Sequence, residues 1–277
     1  MRIQPIDLYA RSNAQMGIKM KDIKIAFFDI DGTLIDINKK VISERILETL
    51  ARLKQKGILI CLATGRAPLT LPRFPKTDFD VFLTFNGSYC FNSEKVIFSN
   101  PIPVQDVKQL IKNAAQIGRP VSIATKDRIA ANGADQDLVD YYGYAGLKVE
   151  IADDFEQLLQ EEVYQVMMGC CESEYISMMK GIRQAKITAW WDRAVDIIPA
   201  DGGKGKAIEK VLEYYHMDKS EAIAFGDGNN DIEMLQSVGT GVAMGNGSEQ
   251  LKAVADDVCG HAADDGIYNY CLEKGLI

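Results

Sequence analysis

The 277-residue sequence is poor in histidine, with only His216 and His261, and poor in tryptophan, with Trp190 and Trp191. Histidine is the usual proton shuttle near neutral pH and a frequent metal ligand. Acid–base or metal chemistry in this chain therefore has to rest mainly on carboxylates. His216 follows a helical pattern ending in Tyr214-Tyr215 and reads as a surface residue, while His261 lies in a loop-like Cys-Gly-His-Ala-Ala-Asp-Asp-Gly stretch. The six cysteines (Cys61, Cys90, Cys170, Cys171, Cys259, Cys271) include no CxxC pair and no metal-like spacing. That argues against a disulfide framework or zinc site and fits buried thiols in a reducing cytoplasm. Apolar runs long enough to cross a membrane, roughly 18 residues, are missing, so no membrane association is expected. Positive charge is not in excess either. The net charge of -8 argues against a general nucleic-acid partner, but a few local cations suffice for a small phosphorylated ligand. Residues 1–20 mix charged and apolar positions without the apolar core of a signal peptide and read as an N-terminal extension outside the fold.

What is present is ordinary globular composition, 47% hydrophobic and 25% charged, over a length that suits one large domain or two moderate ones. The organising stretch runs from Ile23 to Asp36. Ile25-Ala26-Phe27-Phe28 has the composition of a strand buried on both faces, and Asp29 and Asp31 come straight after it, before Gly32. Side chains along an extended chain alternate, so the two carboxylates are expected to emerge on the same side. Ligands of open parallel sheets bind at strand carboxyl ends, and two like charges there are costly unless a cation compensates.

Further along, Ser43 reads as the N-cap of a helix with Ile46, Leu47, Leu50 and Leu53 inward, closed at Gly57. The strand Ile58 to Ala63 follows and stops at Thr64-Gly65-Arg66, giving a strand–helix–strand crossover with a parallel pair. A third strand, Val81 to Phe85, ends at Asn86-Gly87-Ser88. The pattern then changes. A hairpin (Tyr89 to Phe91, Val96 to Phe98), a helix near Val104 to Ile117, and mixed pieces including a helix from Tyr175 to Ala185 predict an inserted α+β module over 87–198. From Pro199 the α/β rhythm resumes: Gly202-Gly203-Lys204-Gly205 before a helix to Tyr215, then a buried strand Ala222 to Phe225 ending at Gly226-Asp227-Gly228-Asn229-Asn230-Asp231. The fold class expected is α/β, a doubly wound parallel-sheet core over 21–86 and 199–277 with an inserted α+β cap.

Asp29, Asp31, Thr64, Lys204, Asp227, Asn230 and Asp231 thus fall at strand ends or helix starts that one sheet edge would gather. Carboxylate oxygens suit magnesium, and glycine-rich turns before helices offer N–H groups to phosphate. An aspartate of ordinary pKa, about 3.9, is ionised at neutral pH and can attack without a general base. Its repulsion by a phosphate dianion would be offset by magnesium and Lys204. A second carboxylate two residues on could protonate the leaving oxygen and then activate water. Asp29 and Asp31 fit those roles in that order.

Asp29-Ile-Asp-Gly-Thr-Leu, Ala63-Thr-Gly-Arg, Lys204 in Gly-Gly-Lys-Gly-Lys, and Gly226-Asp-Gly-Asn-Asn-Asp resemble, in order, the four motifs of the haloacid dehalogenase (HAD) superfamily. The long insert between Thr64 and Lys204 resembles its Cof-type phosphatase subfamily. The resemblance implies a magnesium-dependent phosphatase acting on sugar phosphates or similar small phosphorylated metabolites, cytoplasmic, a monomer or weak homodimer. It implies Asp29 as nucleophile and metal ligand, Asp31 as acid/base and a metal ligand through its backbone carbonyl, and Asp227 as third metal ligand. Thr64, Gly65, Lys204 and Asn230 would hold the phosphate, and Asp231 would orient Lys204 from behind. A sugar phosphomutase and a non-catalytic binding or regulatory protein are the rival outcomes. Arg66 is read as a substrate contact or a core salt bridge, and Lys206, Asp36 and Glu233 as solvated charges. Asp264-Asp265 reads as a cap of the last helix or as a support near the phosphate site. Arg128, Asn132 and Trp190-Trp191-Asp192-Arg193 are the insert's candidates for reading the leaving group.

Overall fold

A computed structural model describes residues 22–277 apart from Lys76, Ala145 and Trp190, so the expected N-terminal extension and the candidate Trp190 lie outside the described residues. In chain order the elements are β1 (Ile25–Phe28), α1 (Glu44–Gln55), β2 (Leu59–Ala63), β3 (Val81–Thr84), β4 (Tyr89–Asn92), β5 (Val96–Ser99), α2 (Val104–Gln116), β6 (Ser122–Ala124), β7 (Ile129–Ala131), α3 (Gln136–Tyr144) and α4 (Phe155–Leu158). They continue with β8 (Gln165–Gly169), α5 (Tyr175–Met178), β9 (Ala185–Thr188), β10 (Ala194–Pro199), α6 (Lys204–Tyr215), β11 (Ala222–Gly226), α7 (Ile232–Gln236), β12 (Thr240–Ala243), α8 (Glu249–Val254), β13 (Asp257–Val258) and α9 (Gly266–Glu273).

Two sheets result. The larger, ordered β13-β12-β11-β1-β2-β3-β4-β5, is parallel from β13 through β3 and antiparallel beyond. The smaller, β7-β6-β8-β10-β9, is antiparallel throughout. The fold is α/β with a doubly wound core and a separate antiparallel sheet inserted in it. The apolar run of β1 is buried along its whole length because it is covered on both faces. Ala26 and Phe28 pack with Ile46, Leu50 and Leu53 of α1 and Ile267 of α9, while Ile25 and Phe27 pack with Ala207, Ile208, Met234 and Leu251 of α6, α7 and α8. Ser43 caps α1 by accepting the Ile46 N–H at 3.1 Å.

The structure departs from the sequence expectations in two places. The hairpin β4–β5, expected within the inserted module, instead extends the core sheet through antiparallel pairing of β4 with β3. Alternating residues specify a hairpin but not which sheet edge it joins. The helix expected from Tyr175 to Ala185 stops at Met178, and Gly181 at φ +79° turns the chain so that Ala185 can start β9. The two sheets meet around Phe85, whose ring stacks on Tyr164 with centroids 5.4 Å apart.

Candidate active site

Adjacent strands β11, β1, β2 and β3 carry, immediately beyond their carboxyl ends, Asp227, Asp29, Thr64 and Phe85-Asn86. Residues far apart in sequence become neighbours by sheet order alone. Backbone bonds continue the ladder past the strands: Asp29 N–H to Phe225 O at 3.0 Å, Thr64 N–H to Leu83 O at 2.9 Å, and Asn86 N–H to Thr64 O at 2.9 Å.

Lys204 opens α6 and its side chain is fully buried. Its Nζ donates to Asp29 Oδ1 at 2.5 Å and to Asp231 Oδ1 at 2.6 Å. The other oxygen of Asp231 accepts the backbone N–H groups of Asp227 and Gly228, both at 3.0 Å. Asp231 is thereby fully committed and acts as the fixed support of the lysine. Burial works against the Lys204 charge, but the two carboxylates overcome it and hold the ammonium above its ordinary pKa. Burial pushes the Asp29 carboxyl well up; the Lys204 ammonium opposes this, and Asp231 and Asp227 add to the rise. Burial likewise raises Asp227 to about 7, with Asp231 adding to the shift and the Thr33 hydroxyl opposing it.

This is a cluster with more buried negative charge than one ammonium neutralises. Oxygens of Asp29, Asp227 and Asp231 lie within 4.8 Å of one another. With both Asp231 oxygens taken, Asp29 and Asp227 are the pair positioned to share a cation. Asp227 Oδ1 accepts the Thr33 hydroxyl at 2.8 Å, leaving Oδ2 for another partner. Gly32 makes room for that oxygen: at φ +90°, a Cβ there would fall 2.1 Å from Asp227 Oδ2. Hard oxygen donors, charge excess and a cleared approach all fit a metal ion.

Asp31 sits apart from this cluster. Its half-exposed carboxylate accepts from Arg66 Nε at 2.8 Å and Nη2 at 2.7 Å, a two-pronged pair. Arg66 is therefore held as an ion-pair partner of the expected acid/base, at a site edge rather than within the core. Thr64 is buried, and its Oγ1 accepts the Arg66 N–H at 3.1 Å, shaping the turn in which Gly65 lies. Asn230 donates from Nδ2 to Asn86 Oδ1 at 3.1 Å. The eight core residues singled out by sequence, Gly65 included, are thus gathered at one sheet edge. Two that sequence reasoning left without a role join them: Thr33, inside the Asp-Gly-Thr run, and Asn86, noted only as the insert's start.

Among the described candidates in the insert, Arg128, Asn132 and Arg193 have partners within the chain. Arg128 pairs with Asp154 through Nη1 at 2.8 Å and with Glu150 at 3.1 Å, and Asn132 Oδ1 accepts the Val121 N–H at 2.9 Å. Arg193 lies over the Trp191 ring at 4.2 Å and pairs with Asp137 at 3.1 Å, while Asp192 is exposed. Asp265 precedes α9, accepts the Ser43 hydroxyl at 2.5 Å and pairs with Arg45, tying α9 to the start of α1. Lys206 is exposed and pairs with Glu209 at 3.0 Å. Glu233 is exposed and pairs with Lys186 at 3.3 Å.

Comparison with known proteins places this geometry. A family model described as haloacid dehalogenase-like hydrolase matches residues 26–271. YkrA of Bacillus subtilis (strain 168), a protein with a provisional phosphatase name, is 33% identical over 258 residues, covering 92% of this chain and 99% of its own. The HMP-PP phosphatase of Escherichia coli O6:H1 is 26% identical over 261 residues, covering 89% of this chain and 94% of its own. Among solved structures, the HAD subclass IIB sugar phosphatase BT4131 superposes with a TM-score of 0.84 at 30% identity, covering 92% of this chain and all of its own (100%).

Proposed function

The chain belongs to the haloacid dehalogenase-like hydrolases and is a phosphohydrolase, and from that premise we propose a magnesium-dependent phosphatase of small phosphate monoesters, sugar phosphates or similar metabolites. The observation that carries the reading is the buried Lys204 ammonium held between Asp29 and Asp231, beside the Asp29–Asp227 pair. Magnesium held by the Asp29 and Asp227 carboxylates and the Asp31 backbone carbonyl would neutralise phosphoryl oxygens and polarise the phosphorus.

The chain's own residues do the rest. The Lys204 ammonium opposes the rise that burial imposes on Asp29, and a bound magnesium ion would add the remaining charge compensation that an ionised attacking group needs. An Asp29 oxygen attacks phosphorus, the bond to the leaving oxygen breaks, and that oxygen takes a proton from Asp31, which enters the step protonated and released from Arg66. Water, deprotonated by Asp31, then attacks the phosphorus of the aspartyl-phosphate. Inorganic phosphate leaves and the Asp29 carboxylate is restored. Arg66 holds the Asp31 carboxylate through its two bonds and must release it before Asp31 carries a proton, and Thr64, Gly65 and Asn230 hold phosphoryl oxygens. The inserted sheet excludes bulk water while the first step proceeds.

Hydrolysis of an aryl phosphate should vanish with EDTA and return with magnesium. Asp29→Asn should lower kcat by on the order of a thousandfold or more. Turnover that survives chelation, or survives Asp29→Asn, would rule the mechanism out.

A further inference from the structure

The segment after β3 is built unlike any other among the described residues. Phe85, Asn86 and Gly87 have φ of +52°, +53° and +91°, three successive residues in the left-handed region. The first two have side chains, and such backbone persists only where surroundings enforce it. Here Phe85 is clamped by its stack on Tyr164, and Asn86 is buried. What this conformation delivers is the Asn86 carboxamide. It lies against Gly65, where a Cβ would come 3.1 Å from Asn86 Nδ2. Its Oδ1 accepts from Asn230, and its Nδ2 donates to Asp196 Oδ2 at 3.2 Å.

Asp196 belongs to β10 of the inserted sheet, is 4% exposed, and lies 110 residues from Asn86 in sequence. Its other oxygen accepts the Tyr141 hydroxyl at 2.5 Å, and Gln165 adds a third side-chain hydrogen bond. All three donors are neutral. A buried carboxylate supported only by neutral donors is an expensive way to join two sheets, since an apolar contact would serve packing as well. A carboxylate does something an apolar group cannot. It accepts only, so it fixes which end of the Asn86 amide faces it. Turning that amide over would set its oxygen against the carboxylate and its NH2 against the NH2 of Asn230.

We propose that Asp196 and Asn86 form a positioning pair that aims the Asn230 carboxamide at the substrate phosphate, so that the inserted sheet contributes to phosphate binding without touching it. This rests on the phosphatase reading above and adds positioning residues to it. Neither residue transfers a proton or contacts the phosphorus.

The test is exchange of the two groups. Asn86→Asp alone places two carboxylates face to face, whereas Asp196→Asn alone can turn its amide so that Oδ1 still accepts from Asn86 while its NH2 donates to the Tyr141 hydroxyl. Together they restore the bond between the two side chains with donor and acceptor exchanged. The carboxylate then stands after β3 and accepts from Asn230 and from the amide now on β10, whose oxygen still accepts from Tyr141. Inhibition of aryl phosphate hydrolysis by inorganic phosphate, with magnesium present, reads the site directly. Asn86→Asp alone should raise the phosphate Ki about tenfold, the scale of one hydrogen bond to a charged group, with KM following and kcat changing less, while Asp196→Asn alone should stay within about threefold of wild type. The double variant should return to within about threefold of wild type. An Asn86→Asp variant with wild-type Ki, or a double variant no better than Asn86→Asp alone, would overturn the pair. If a single variant fails to melt cooperatively, the folded double variant decides alone: wild-type-like Ki supports the pair, tenfold weaker inhibition refutes it. A wild type that hydrolyses aryl phosphate while Asn86→Asp matches it removes only the pair. A wild type inert with magnesium removes the phosphatase reading and the pair together.

Discussion

Two buried acidic clusters lie close together in this molecule and are stabilised by opposite means. At the core edge, Asp29 and Asp231 flank a buried ammonium, and their geometry leaves charge for a metal ion. On β10, Asp196 is just as buried but receives only hydroxyl and amide donors. The first cluster has Coulomb compensation from Lys204, which a bound cation would complete so as to hold a reactive, ionised carboxylate. The second has none, which suits a group whose task is orientation rather than reaction. Buried charge with a counterion marks where the reaction is run; buried charge among neutral donors marks where a neighbour is held.

The sharpest way to break this contrast is to remove the core cation. Lys204→Met keeps much of the side-chain volume but leaves Asp29 and Asp231 facing each other without their ammonium. Breaking a buried pair from one side costs about 3–5 kcal/mol, so chelated protein should melt at a clearly lower denaturant midpoint. Hydrolysis should fall by on the order of a thousandfold. A variant with near wild-type turnover would mean that Lys204 is structural only.

A smaller effect is expected from Gly32→Ala, which asks whether the space beside Asp227 matters. A Cβ there would collide with Asp227 Oδ2 on a backbone of φ +90°. The variant should lose about 1 kcal/mol of stability from backbone strain. Its magnesium activation constant should rise about tenfold, the scale of a displaced contact near a metal. An unchanged magnesium dependence would argue that Asp227 does not bind the ion.

The core cluster was legible because its chemistry sits in short runs at predictable places. An apolar four-residue strand followed by Asp-x-Asp-Gly, or by Gly-Asp-Gly, announces both the sheet and its functional end. What the sequence concealed was pairing between distant elements. The alternation of β4 and β5 pointed to the hairpin but not to its sheet. Asn86 was visible only as a turn residue, because its role depends on Asp196, and nothing local connects positions that far apart. One signal was available. In Ala194-Val-Asp-Ile-Ile-Pro199, a single carboxylate interrupts a strand otherwise fit for burial, and such an interruption asks for a partner. Arg66 shows a similar limit, since its choice of Asp31 could be settled only by distance.

The effect that tests the contrast most directly is the pH dependence of Asp196→Asn. Burial raises the Asp196 carboxyl from 3.8 to about 6, against the lowering effect of Tyr141, Asn86 and Gln165. The folded protein thus prefers the protonated acid more than the unfolded chain does. Its contribution is most favourable below about pH 4, declines as pH rises through 6, and is constant above that. Asparagine does not titrate there. The stability of the variant relative to wild type should therefore shift in the variant's favour by about 2–3 kcal/mol between pH 4 and pH 7, read from urea midpoints of the two chelated proteins at each pH. A cation hidden near Asp196 would hold it ionised in both ranges and flatten that difference. A flat difference would erase the distinction between the two clusters, because both carboxylates would then be paired.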